Sequence, residues 1–382
     1  MLASILLLSF PILYITLAYY LSHSKTQILC IFCICTITIS SIRWESGTDW
    51  DYYYSLYLNP SFSFYTEKGY AYLSSTCSNL GISYNLFLAI LALPWILLAY
   101  LPLSRLKLNY QASYIYLVAL YSLSFLNFIG SRQQVTIALI FALMLVRSFF
   151  SKALIFLIGI FFHSSFLLFL LILYSVYYLN GALRFAINRI KQLNFLRNTY
   201  FYFTIVMLFV LALISVVALI FPLLTNLILA IRPGYVDYFS SGAIYIEDPS
   251  SQAIRTALKL SFYILPPLIY NLFDYRNRLK LTIPQDLKVF SFYASPKSWA
   301  LLTIIGFLFL LTTVNPNIGG RLELYMRPFL AVQVSLFASL YFNSRSKFSW
   351  PVLTLIFGLL SKFIFSLFTE DWYLPYTTIF TN

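Results

Sequence analysis

Two kinds of residue in this chain are equipped for chemistry: arginines placed beside acids and aromatics in short polar stretches, and one histidine inside apolar sequence. The fullest stretch begins Arg43-Trp44-Glu45-Ser46-Gly47-Thr48-Asp49-Trp50-Asp51 and continues through Glu67-Lys68-Gly69-Tyr70. Three others are Ser131-Arg132-Gln133-Gln134, Phe162-His163-Ser164-Ser165 and Arg321-Leu322-Glu323-Leu324-Tyr325-Met326-Arg327, with Arg232-Pro233-Gly234 as an isolated fourth. An arginine fork matches the oxygens of a phosphate in shape as well as charge. A histidine titrates near neutrality and suits the removal of a proton from a hydroxyl. Anion binding next to a base is therefore the chemistry to look for.

The elements that must position these residues are membrane spans. Of 382 residues, 60% are hydrophobic and 10% charged, far below the roughly one quarter charged of a soluble domain. The apolar residues come in runs of about twenty, enough to cross a hydrocarbon core of about 30 Å. The expected fold is all-α: a polytopic integral membrane protein of about 10–12 transmembrane helices in a single domain, 1–382. The opening run, 2–21, lacks the basic start and small-residue cleavage site of a secretory signal, and is read as the first span.

Charge sorts the loops. Basic clusters stand at Arg105/Lys107, Arg147/Lys152, Arg184/Arg189/Lys191/Arg197, Arg276/Arg278/Lys280/Lys288 and Arg345/Lys347. Lysine and arginine in short loops mark the cytoplasmic side. The net charge of +13 is thus a topology signal, and nucleic acid is not a partner. Spans are expected at about 2–21, 27–42, 83–101, 112–129 and 132–147, then 201–221, 253–273, 298–314, 324–344 and 350–368. Outer loops fall at about 43–82, 222–252 and 315–323, with an outer tail at 369–382. Alternation fails only at 153–179, which has basic sequence at both ends and His163 in its middle. A broken or re-entrant segment of two half-helices restores it, and a single tilted span is the alternative.

This topology places Arg43, Arg132, His163, Arg232, Arg321 and Arg327 at the outer face, where arginine is disfavoured. An anion or a structural ion pair is the usual reason for such a placement. Arg132 opens a helix whose N-terminus is already positive, an unfavourable site that a phosphate would make favourable. Gln133 and Gln134 add amide donors there. On one helix, Arg321 and Tyr325 would share a face, as would Glu323 and Arg327, the latter forming an ion pair with itself as the plain structural alternative. His163 is either a base or a histidine satisfied by Ser164 or Ser165. Asp49 and Glu45 are the other bases. The aromatics between Trp44 and Tyr57 read mainly as an interfacial belt, with one or two available to stack on sugar rings.

Cys30, Cys33 and Cys35 lie in an apolar run without acids and read as packing residues. No metal-ligand cluster, phosphate-binding glycine loop or nucleophile elbow is present, so neither a metal nor any other cofactor is expected.

The motifs in their order, Arg43-x5-Asp49, Glu67-x-Gly69-Tyr70, Ser131-Arg132-Gln133-x2-Thr136-x-Ala138 and Phe162-His163-Ser164-Ser165-Phe166, resemble the EpsG-like family, grouped with the O-antigen polymerases (Wzy). The resemblance is good over about 40–180 and weaker at Arg321-x3-Tyr325. It implies a metal-independent glycosyltransferase of the bacterial inner membrane, active at the periplasmic face in lipopolysaccharide or other polysaccharide biosynthesis. Its substrates would be oligosaccharide repeat units on undecaprenyl diphosphate, and a chain-length regulator protein would be a further partner beside membrane lipid. His163, Arg132, Arg321 and Asp49 would then be catalytic. Arg43, Glu45, Gln133, Tyr325, Arg327 and Arg232 would bind substrate. The rivals are a flippase of the same lipid-linked units and a polysaccharide acyltransferase or ligase.

Overall fold

The computed structural model describes residues 2–22, 24–43, 50–59, 68–106, 108–125, 132–163, 165–191, 264, 285–295, 304 and 323–342. Among these residues the protein is all-helical, with no strands. The expected spans 201–221, 253–273, 298–314 and 350–368 lie outside them, as do Glu45, Asp49, Arg232 and Arg321. The chain divides into two compact units, one of residues 1–170, 259–302 and 324–382, the other of residues 171–258 and 303–323.

The first unit is built from α1 (Leu2–Ser22), α2 (Lys25–Ile42), α3 (Trp50–Leu58), α4 (Lys68–Asn79), α5 (Tyr84–Ala92), α6 (Pro94–Arg105) and α7 (Tyr110–Leu120). It continues with α8 (Arg132–Leu145), α9 (Phe149–Phe162), the start of α10 (Ser165–Lys191), α11 (Lys288–Ala294) and α12 (Arg327–Phe342). Of the second unit the described residues give the remainder of α10 and two isolated positions, Ile304 and Glu323.

Helices α5 and α6 run on as one apolar span, Tyr84–Arg105, of 22 residues or about 33 Å. That length crosses a bilayer unaided. Leu7–Ser22, Lys25–Ser41, Gln133–Leu145, Phe149–Phe162 and Phe166–Tyr178 are shorter apolar helices. Their outward faces are bare hydrocarbon. Phe149 and Phe150 of α9 are 87% and 77% exposed, and Leu21, Leu157 and Tyr20 are exposed too. Such a surface fits lipid and not water. The protein is a polytopic membrane protein.

Helices α7, α8 and α12 are buried nearly all round and form the centre of the first unit. Ala331, Ser335 and Ala338 put small buried residues on α12, which packs closely on α7. Phe141 of α8 meets Phe329 of α12 at 4.5 Å and Phe290 of α11 at 5.7 Å between ring centroids, closing an aromatic core.

Tyrosine hydroxyls tie the bundle together by donating to backbone carbonyls of neighbouring helices. Tyr110 donates to the carbonyl of Tyr19, Tyr116 to Leu98 and Tyr121 to Leu8. Breaks in the helices are satisfied in the same way. Pro94 interrupts the backbone ladder between α5 and α6, where the Leu93 N–H turns to the Ile90 carbonyl. Gln134 of α8, fully buried, donates from Nε2 to the Leu91 carbonyl of that turn at 3.1 Å. Its amide is thus engaged in packing, which corrects the reading of Gln134 as a donor for an anion. At the opposite end Arg147 pairs with Asp286 just before α11. The guanidinium hydrogen bond holds the Asp286 carboxyl below its usual range. A lowered carboxyl stabilises above its unfolded pKa and loses that contribution as pH falls through the folded value, so this clip is intact at neutral pH and opens only in acid.

Two expected spans differ from the structure. α12 starts at Arg327, because Tyr325 and Met326 form a turn after the helical Glu323 and Leu324. The shared face argued for Glu323 and Arg327 is interrupted by this turn, and Arg321 lies outside the described residues. The break at 153–179 is present, with α9 ending at Phe162 and α10 beginning at Ser165. Its arms are unequal, however. α10 has 27 residues and is of full spanning length, whereas the short helix α9 is paired with the equally short α8.

Replacing Gln134 by Leu should lower stability by about 1–3 kcal/mol, since the Leu91 carbonyl would be left buried without its donor. Gln133→Leu, at a half-buried position, should stay within about 0.5 kcal/mol of wild type. Thermal unfolding of both variants in detergent checks the difference.

Candidate functional site

Helices α8 and α9 form a hairpin of equal arms. Each has 14 residues, they pack on one another, and only Val146, Arg147 and Ser148 join them. Equal arms leaving one connection reach the same level, so Arg132, the first residue of α8, and His163, just past α9, stand at the same end. Fourteen residues give about 21 Å, well short of a core about 30 Å thick. The Gln134–Leu91 bond fixes the depth. Leu91 lies seven residues, or about 10 Å, into the span that begins at Tyr84. The tips of α8 and α9 are thus recessed within the bundle.

His163 is 7% exposed and caps α9 in an extended conformation, φ −160° and ψ 128°. Its N–H donates to the Gly159 carbonyl at 3.1 Å, and its own carbonyl accepts from the N–H of Phe166 at 3.0 Å. The chain bends here. In a straight helix Gly159 and Phe166 would be about 10 Å apart along the axis. Instead a Cβ on Gly159 would lie 2.4 Å from the Phe166 ring, so glycine is what lets the ring seat itself against α9.

A second glycine joins the loop motif to this break. A Cβ on Gly69 would lie 2.8 Å from the carbonyl oxygen of Phe161 and 2.9 Å from its carbonyl carbon. The first turn of α4, carrying Lys68, Gly69 and Tyr70, is therefore pressed against the last turn of α9, two residues from His163. Two motifs separated by about ninety residues in sequence meet through this contact.

Beside α4 lies Arg43, which ends α2 in an extended conformation and is 9% exposed. Its positive charge acts on the hydroxyls of Tyr70 and Tyr84. Around them Trp50 stacks on Tyr54 at 4.8 Å, Tyr53 meets Tyr70 at 5.2 Å, and Tyr57 meets Phe87 at 5.0 Å. Trp50, Tyr53 and Tyr57 are buried, so they form the core of a small helical cap and not an interfacial belt. Burial pushes the Tyr70 hydroxyl well above the usual phenol range, against a smaller lowering by Arg43, and it stays protonated.

Arg327 has a different situation. It is 2% exposed, and its Nη1 donates to the carbonyl of Leu123 at 3.1 Å. Leu123 sits in a π-helical turn, Tyr121–Phe125, that ends α7. Such a turn widens the backbone and frees carbonyls from their ordinary partners. Arg327 supplies a donor to one of them, so at least one of its N–H groups serves the fold. Tyr325 is buried with its ring 4.6 Å from Phe169 of α10. Gln133 is half-buried in the first turn of α8.

The structure thus brings Arg132 and His163 to one recessed level, and Arg43 and Tyr70 to one cap whose α4 abuts α9. It ties Tyr325 and Arg327 to the first turn of α10 and the end of α7. Glu45, Asp49, Arg232 and Arg321 lie outside the described residues. The cap was missed in sequence, where 43–82 reads as loop. Its signal was present: Trp50, Tyr53 and Tyr57 recur at three and four residues, as do Tyr70, Ser74 and Cys77, and all are buried. Among the described residues no His, Cys, Asp and Glu group could hold a metal ion.

The sequence matches the model of the EpsG family over residues 26–378. No curated protein and no solved structure matches it.

Gly69→Ala should cost about 1–3 kcal/mol, because its Cβ meets backbone and cannot be relieved by a rotamer change. Gly181→Ala, where a Cβ meets nothing within 4 Å, should be neutral or mildly stabilising. Comparing thermal midpoints of the two variants tests whether the α4–α9 contact is as close as described.

Proposed function

The chain belongs to the EpsG family, and on that premise we propose that it is a polysaccharide polymerase working on lipid-linked repeat units at the outer face of the bacterial inner membrane. The growing glycan is transferred from undecaprenyl diphosphate to a hydroxyl of the next lipid-linked unit. The hydroxyl oxygen bonds to the anomeric carbon, the bond from that carbon to the phosphate oxygen breaks, and the hydroxyl proton passes to a base. Lipid diphosphate leaves.

The observation that carries this reading is the recessed hairpin tip. It sets the N-terminus of α8, opened by Arg132, level with His163, with Gln134 bonded about 10 Å into the Tyr84–Arg105 span. A helix N-terminus presents free N–H groups and partial positive charge, and an arginine there adds a full charge. In a low-dielectric recess these act strongly on an oxyanion that gains charge as it departs. A histidine at the same level suits the acceptor proton. Asp49 is the second candidate for that base, and Arg321 and Arg43 are further donors to the diphosphate. Glu45, Gln133, Tyr325 and Arg232 are left as contacts to the glycan, and Arg327 as a support of the α7 turn.

A flippase of the same units would also want cations in a membrane cavity. It needs them accessible from both sides in turn, however, and the site residues described here gather at one end. An acyltransferase would draw its donor from the other side of the membrane. In cells lacking the gene, wild-type protein should restore a long glycan ladder, whereas His163→Ala and Arg132→Ala should leave core bearing a single repeat unit. Loss of even that single unit would point to a flippase or ligase. An intact ladder in Arg132→Ala and in Arg321→Ala, at normal protein levels, would overturn the assignment.

A further inference from the structure

The tyrosine hydroxyls of this bundle follow a habit, and one of them departs from it. Tyr57, Tyr110, Tyr116 and Tyr121 each give a proton to a backbone carbonyl. Tyr70 is equally buried, 1% exposed, and its hydroxyl has no hydrogen-bond partner. Four residues on, along the same face of α4, the buried Ser74 hydroxyl also lacks one. Elsewhere in the bundle helical hydroxyls bond back to the preceding turn, as Thr36 does to Phe32 and Ser122 to Val118, so Ser74 departs from a local habit as well. On α2, the buried Ser40, three residues before Arg43, is a third hydroxyl of this kind.

A buried hydroxyl without a partner is a liability that phenylalanine would remove at no cost in packing. Its retention asks for an oxygen that the protein itself does not supply. The surroundings say which. The positive charge of Arg43 bears on this hydroxyl, favouring an anionic oxygen over a neutral one. The contact of Gly69 with Phe161 holds the backbone next to Tyr70 against the last turn of α9, two residues before His163.

We propose that Tyr70 is a substrate-binding residue whose hydroxyl donates to a phosphate oxygen of the lipid diphosphate, with Ser74 as a second donor on the same helix face. This rests on the polymerase reading and deepens it. The site spans α4 and the end of α2, and works as a neutral donor beside the cation. The phenol binds the departing diphosphate without adding charge, and it keeps its proton throughout.

The test uses the full chain in lipid nanodiscs, with farnesyl diphosphate as probe and farnesol as the control for the lipid tail alone. Tyr70→Phe should keep or raise the thermal midpoint of wild type and weaken farnesyl diphosphate binding at least tenfold, with farnesol unchanged. Ser74→Ala should weaken the same probe about threefold. Tyr72→Phe, on the 69% exposed outer side of α4, should bind as wild type. Diphosphate binding by Tyr70→Phe equal to wild type would overturn the proposal, as would equal weakening in Tyr72→Phe or no preference of wild type for the diphosphate over farnesol. Those failures stay separate from the polymerase reading, which stands or falls with the ladder of His163→Ala cells.

Discussion

Backbone groups in a bilayer must find partners within the protein, and every break in a helix here is arranged around that requirement. At Pro94 the donor is the Gln134 amide; at the π-helical end of α7 it is the Arg327 guanidinium; at the end of α9 it is the chain itself, through the N–H groups of His163 and Phe166. These bonds do more than satisfy carbonyls. Two of them pin the start of one helix to another, α8 to α5 and α12 to the end of α7, and the third fixes the start of α10 to the residue that ends α9. A membrane protein that needs irregular backbone at depth must over-determine it, and side-chain donors on neighbouring helices are how this chain does so.

The recess follows from the same constraint. Helices of 14 residues cannot span the hydrocarbon core, and their tips would expose N–H and carbonyl groups to lipid. They are tolerable only where other helices enclose them. The α5–α6 span stands alongside α8, and the cap of α3 and α4 lies against the end of α9. Enclosure by neighbouring helices gives the polar backbone at these tips a protein surrounding in place of lipid.

Much of this was legible in the sequence, and the part that was not has a clear physical character. Apolar runs set α1, α2, α5–α6 and α8 within a few residues, because a lipid-facing helix must be hydrophobic along its whole length. The polar interruption at His163 marked the break correctly. The pairing of the short helices did not show, since length alone cannot tell a half-helix from a span that ends in a recess. The cap helices were obscured by composition. Tyr, Ser and Trp do not register as apolar, although Trp50, Tyr53 and Tyr57 keep helical spacing. The meeting of Gly69 with Phe161 and the engagement of Gln134 with Leu91 are tertiary facts between residues far apart in sequence, with no local signature.

The arginines show how far a topological argument reaches. Arg43, Arg132 and Arg327 were all singled out because a cation on the outer side needs a reason. The structure gives them unlike surroundings. Arg327 is nearly inaccessible and donates to a carbonyl, so a charged group has been placed where a carbonyl loosened by a π-helical turn needs a donor. Arg43 sits at a helix end among phenols, where its field acts on hydroxyls. Arg132 opens α8, level with the end of α9. One sequence rule therefore marks three different settings: a backbone staple, a charge among phenols and the first residue of a short helix. What separates them is the partner each helix end lacks, and that is decided by where neighbouring helices break.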